Sequence, residues 1–192
     1  MNVFILCTGR SGSVTFIRAC QHIDNYTADH ESRVSLIGEE RLNFPDNHIE
    51  ADNRLSWMLG KLGKKYGKDA FYVHLRRSRE ATATSLGRRW DYSGSIVRAY
   101  TEGILMAGKV RGQEYCEDYV DTVTDNIEHF LRDKPHQMTI ELENIKEGFR
   151  KFWDAIGAEG DLQAALEELS HHYNRSKNNG GLLQRIKNLI NL

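Results

Sequence analysis

Five apolar residues, Val3 to Cys7, run without a polar interruption into Thr8-Gly9-Arg10-Ser11-Gly12-Ser13, and apolar side chains then return at helical spacing at Val14, Ile17, Cys20 and Ile23. A run with no alternation predicts a strand buried on both faces, and such strands belong to parallel sheets covered by helices on each side. The spacing that follows predicts a helix that starts near Gly12 or Ser13 and packs on that strand. Strand, glycine loop and helix in this order leave an α/β layer fold with a mainly parallel sheet and right-handed crossovers.

The rest of the chain repeats the pattern. "AFYVHL" (70–75) is a second buried strand, followed by a helix in "REATATSLGRRW"; "NYTAD" and "NHIEAD" are weaker extended segments. Between 113 and 133, Cys116, Tyr119, Val120, Val123, Ile127, Phe130 and Leu131 share one face of a long helix that Pro135 closes. "QMTIEL" predicts a third core strand, with helices at "IKEGFRKFWDAIG" and "DLQAALEELSHHY", a loop at "NRSKNNGG" and an amphipathic tail helix over 181–192. The length of 192 residues suits a single domain, 1–192.

Composition removes several function classes. A formal net charge of −1 argues against coating nucleic acid or an anionic membrane, so any anion site must be local. Cys7, Cys20 and Cys116 are odd in number and set in apolar patterns, which predicts neither a disulfide framework nor a zinc site. The histidines share no metal-like spacing. Met1 runs directly into "NVFILC", too short for a signal-peptide core, and no run approaches the ~18 apolar residues of a membrane span, so the expectation is a cytoplasmic protein.

In a sheet of this kind ligands bind beyond the carboxyl ends of the strands, so "VFILC" and "AFYVHL" should open on one crevice. Both ends carry arginine. Gly9 and Gly12 let backbone approach a ligand, the N–H groups of the helix start point at it, and Ser11, Ser13 and Thr15 add hydroxyls. That is a site for phosphate or a similar oxyanion, unless the loop is only a strand-to-helix turn. A Walker-type hydrolase or kinase needs lysine after the second glycine, where this chain has Ser13. A cysteine phosphatase needs arginine six residues after its thiolate, and six beyond Cys7 is again Ser13.

Arg10-Ser11-Gly12-Ser13-Val14-Thr15 instead resembles the phosphate loop of the sulfotransferases that use 3′-phosphoadenosine 5′-phosphosulfate (PAPS). Their second element is an arginine at the end of a later strand with a serine eight residues on; Arg77 and Ser85 stand at that interval, with Arg76 and Thr84 as the other register. The resemblance implies a P-loop-type three-layer fold, PAPS as sulfuryl donor, adenosine 3′,5′-bisphosphate (PAP) as product and no metal. It implies that the loop from Gly9 to Thr15 binds the 5′-phosphosulfate, that Arg77 and Ser85 read the 3′-phosphate, and that Arg10 stabilises the leaving oxygen.

"DHESR" is similar to the Glu-Glu-Thr-Arg segment of the tyrosylprotein sulfotransferases, which makes Glu31 the preferred base and Arg33 an active-site cation. His30 is the rival base, as cytosolic members use histidine. "HHYNRSKNN" looks like the family's basic carboxy-terminal loop, with Arg175 and Lys177 as cofactor contacts or as solvated charges. Phe16 aligns with an adenine-stacking aromatic but suits core packing equally, and Trp90 is a core residue or reaches the acceptor side. The resemblance implies an acceptor, small molecule, glycan or peptide, that offers a hydroxyl or amine. A small P-loop nucleotide or metabolite kinase and a non-catalytic nucleotide-binding module are the other readings.

Overall fold

The computed structural model describes residues 1–171. Five strands, β1 (Val3–Leu6), β2 (Thr27–His30), β3 (His48–Ala51), β4 (Phe71–Arg76) and β5 (Gln137–Glu141), form one parallel sheet in the order β2-β3-β1-β4-β5. The described helices are α1 (Ser13–Cys20), α2 (Leu59–Tyr66), α3 (Arg79–Gly87), α4 (Ile96–Ala99), α5 (Gln113–Leu131), α6 (Ile145–Ile156) and α7 (Leu162–Glu168).

Every residue of β1 is buried, and the pleat sends alternate side chains to two cores. Val3 and Ile5 join Phe16, Ile17, Phe149 and Phe152 under α1, α6 and α7. Phe4 and Leu6 join Tyr72, Leu86, Tyr119 and Val123 under α2, α3 and α5. The expected three-layer α/β architecture is therefore present, and it explains why the first strand shows no polar alternation.

The chain leaves β1 toward β2 on one side of the sheet and leaves β4 toward β5 on the other. The two strands are neighbours, with Leu6 paired to His74, so the crevice at this reversal opens between their carboxyl ends.

Some segments differ from the sequence expectation. The long helix stops at Leu131, two residues before the expected 133. Residues 59–66 form a helix that Gly60 and Gly63 obscure in the sequence; a Cβ on Gly63 would stand 3.0 Å from the Phe130 ring, so glycine permits close approach to α5. Between α3 and α5 lie α4 and one π turn, Tyr100–Ile104, and 3₁₀ turns at Glu40–Leu42 and Asn53–Trp57 flank β3. Phe16 is fully buried, 5.2 Å from the rings of Phe149 and Phe152, so it is a core residue and not a base-stacking one. Trp90 is likewise buried in the second core. Among the described residues no helix is long and apolar enough to cross a membrane. Arg175, Lys177 and the tail helix over 181–192 lie outside the described residues.

Candidate functional site

The loop after β1 is bent by left-handed backbone at Gly9, Arg10 and Gly12, with φ of 80°, 62° and 88°. Such a succession of turns gathers N–H groups into a concave anion site. The loop is clamped from several sides. Ser56 Oγ donates to the Cys7 carbonyl at 3.1 Å, and the Tyr119 hydroxyl donates to that of Thr8 at 2.9 Å. A Cβ on Gly12 would fall 2.6 Å from Leu142 Cδ1, so only glycine fits the turn that starts α1.

Helix α1 begins with no side-chain cap and no acidic residue in its first turn, which leaves its positive end for a ligand. Ser11 is buried with its hydroxyl beside the Cys7 thiol, and Thr15 is buried with its hydroxyl toward the His171 carbonyl at 3.4 Å. Burial pushes the Cys7 thiol above its ordinary range, so it is held protonated and is a poor nucleophile.

The two sequence motifs meet here. Arg10 Nε donates to Ser85 Oγ at 2.9 Å, and Arg77 Nη1 donates to the Arg10 carbonyl at 3.3 Å. Arg76 turns instead to Glu128 on α5 and Glu141 on β5, at 3.0 and 3.4 Å. Arg79 is spent on an exposed fork to Asp121 and Glu117. Burial, then the neighbouring charges of Arg89 and Arg77, lower the Arg10 guanidinium from its ordinary value. Its surroundings are thus desolvated and positive, an environment that an oxyanion relieves.

The carboxyl end of β2 supplies the other wall. His30 Nε2 and Ser13 Oγ are 3.0 Å apart, which ties β2 to the loop. Glu31 takes left-handed backbone, φ 54°, while its N–H donates to the Ala51 carbonyl at 3.0 Å. Its carboxylate pairs with Arg54 at 3.1 Å, each side chain about one third exposed. The next residue is pinned by a buried acid: Ser32 N–H and Oγ donate to Glu50 at 2.9 and 2.6 Å, and His48 Nε2 lies 3.1 Å from the same carboxylate.

Arg33 does not join this group. It donates to the Glu40 carbonyl at 3.0 Å and lies 5.5 Å over the Phe44 ring. The cation at Glu31 is Arg54, which the sequence reading passed over; its position just beyond the carboxyl end of β3, on the edge where the site forms, was the available signal. Arg54 lies in the 3₁₀ turn Asn53–Trp57, whose Trp57 ring packs 5.8 Å from Tyr100, at the start of the π turn. The residues just after that turn and the loop after Arg33 expose apolar side chains, Met106 and Ile37 most of all. Among the described residues no group of three or more His, Cys, Asp or Glu is disposed to hold a metal ion.

No protein-family model and no curated protein sequence matches the chain. Solved structures do. A sulfotransferase domain from the curacin biosynthetic pathway superposes with a TM-score of 0.64 at 14% identity, over 89% of this chain and 78% of that one. Mouse sulfotransferase SULT7A1, solved in complex with PAP, superposes with a TM-score of 0.58 at 16% identity, over 88% of this chain and 63% of that one. The chain therefore has the sulfotransferase fold.

Proposed function

We propose that this protein is a PAPS-dependent sulfotransferase that transfers the sulfuryl group to an acceptor hydroxyl or amine. One observation carries the reading: Ser85 and Arg77, from the second motif, both contact Arg10 of the loop, so the two segments expected to hold opposite ends of one bisphosphorylated adenosine share a single site. The solved PAP complex on the same fold supports it.

The residues fit such a donor. The loop from Gly9 to Thr15 and the open end of α1 suit the 5′-phosphosulfate, and Arg77 with Ser85 suits the 3′-phosphate through charge-assisted hydrogen bonds. Binding would exchange the Arg10–Ser85 contact for contacts to the ligand. When bound, PAPS supplies the sulfuryl group, whose sulfur–oxygen bond to the bridging phosphate oxygen breaks as a bond from the acceptor atom to sulfur forms. Arg10 stabilises the charge left on that oxygen. Glu31 takes the proton of the acceptor, with Arg54 orienting its carboxylate, while His30 holds Ser13 at the start of α1. Arg33 has no step in this scheme.

The test is a thermal-shift titration with PAP, ADP and ATP. A site-specific ligand at a hundredfold excess over its Kd stabilises the fold by about 2.7 kcal/mol. PAP is expected to act well below the concentration at which ADP does, and Arg77→Ala is expected to weaken PAP far more than ADP. A preference for ADP or ATP, or no response to any of the three, would overturn the proposal.

A further inference from the structure

We propose that the acceptor is an amphiphile: a hydroxyl- or amine-bearing head that meets Glu31, carried on an aliphatic chain that lies across two uncharged loop tips, residues 34–38 and 103–108. This rests on the donor reading above, with Glu31 as the base, and narrows the acceptor class that reading leaves open. Apart from Met1, every large apolar side chain that is exposed among the described residues lies in 34–37 or in 92–110. Single exposed apolar residues are ordinary, but a concentration of them on neighbouring segments marks a place of contact.

The two segments are rooted on either side of one short turn. Val34 N–H donates to the Glu31 carbonyl at 3.4 Å, which folds the first tip back beside Glu31. The Glu31 carboxylate pairs with Arg54 in the 3₁₀ turn, and Trp57 at the far end of that turn packs on Tyr100. Leu105 N–H donates to the Tyr100 carbonyl at 2.9 Å, and the Tyr100 hydroxyl donates to Asp118 on α5, so the second tip has a fixed root. The turn between them has five residues, about 10 Å at the 3₁₀ rise. Neither tip carries a charge: the first reads "VSLIG" and the second "GILMAG". A charged partner finds no complement there, and a saturated chain does. Ile37 is 87% and Met106 80% exposed, and Met106 holds left-handed backbone, φ 55°, which residues with a Cβ avoid. Strain of this kind is kept where a residue is aimed, and the flexible, polarizable thioether of methionine adapts to irregular apolar ligands. Transfer would join the head-group oxygen or nitrogen to sulfur, release PAP and leave the proton on Glu31, giving a sulfated amphiphile.

The experiment titrates n-hexyl, n-heptyl and n-octyl β-glucoside, each below its aggregation concentration, into the PAP-saturated full chain by calorimetry, and follows sulfated glucoside formed from PAPS by mass spectrometry. Each methylene that leaves water should raise affinity about fourfold, and product should rise in the same order. Ile37→Ser and Met106→Ser, both on the surface, should each flatten that gain while PAP binds as in the wild type. Affinity that does not depend on chain length, a gain that survives in both variants, or the absence of sulfated product would overturn the assignment and leave the donor reading intact. So would a dimer in sedimentation that Ile37→Ser or Met106→Ser dissociates, which would give the tips to a second copy of the chain. A wild-type protein that does not bind PAP would overturn the donor reading, and this assignment with it.

Discussion

Arg10 and Glu31 are two of only four non-glycine residues that take left-handed backbone in the described chain. An L-residue in that region costs roughly 1–2 kcal/mol, and such strain collects where a side chain must be aimed. Arg10→Gly should therefore keep or raise stability, by about 0.5–1 kcal/mol once the extra freedom of glycine in the unfolded chain is counted, while PAP binding is lost. Urea unfolding and a PAP titration on the same variant check both halves; a clear loss of stability would show that the backbone there is not strained. At this scale the sequence was readable where a position is written in local spacing: Arg10, Ser85 and the arginine eight residues before it come together in the fold. Arg54 was not readable, because the fold and not the local spacing brings Glu31 beside it. The contacts of Arg33 were hidden for the same reason: Glu40 and Phe44 meet it through the fold.

The edge of the sheet shows how an element aims a residue. β2 is short and half exposed, and its register on β3 ends at His30 opposite Ala51. What fixes the chain after it is Glu50, fully buried on β3, which accepts from Ser32 twice and faces His48. His48 is held in turn by Thr27 Oγ1 at 2.8 Å. Removing one member of a buried charged set leaves the others unsatisfied, so Glu50→Ala should cost about 3 kcal/mol and free the Ser32 amide to exchange with solvent. Glu50→Gln, which keeps the shape and loses one acceptor, should cost less but still speed exchange at Ser32. Unchanged exchange in both would show that the segment is held from elsewhere. β1 and β4 were legible as apolar runs because both faces are covered, and α5 because one face alone is. β2 was faint, since an edge strand carries few apolar residues, and α2 was hidden by two glycines and three lysines within eight residues.

Across the whole molecule, the second core approaches the site through a cleft of about 120 Å³ behind the loop, lined by Thr8, His74, Arg77 and Asp121 among others. His74 is almost wholly buried, and burial, then the charge of Arg76, pushes its pKa down to about 4. In the unfolded chain a histidine titrates near 6.5, so between those values the unfolded state binds the extra proton and the folded state does not. Stability contributed by neutral His74 is thus complete above about pH 6.5 and is lost as pH falls toward 4, by about 3 kcal/mol in all. Asp121, held low by its bonds to Arg79, acts only below the ordinary carboxylate range, so the two effects occupy different windows. Replacing His74 by leucine should leave urea stability nearly flat between pH 6.5 and 4.5, where the wild-type protein falls. Because folded His74 stays neutral over that interval, wild-type protein and His74→Leu should hold PAP with the same affinity there, even though Thr8 and Arg77 border the same cleft. Parallel acid losses in the two proteins would assign the pH dependence to the surface carboxylate pairs and separate the core from the site.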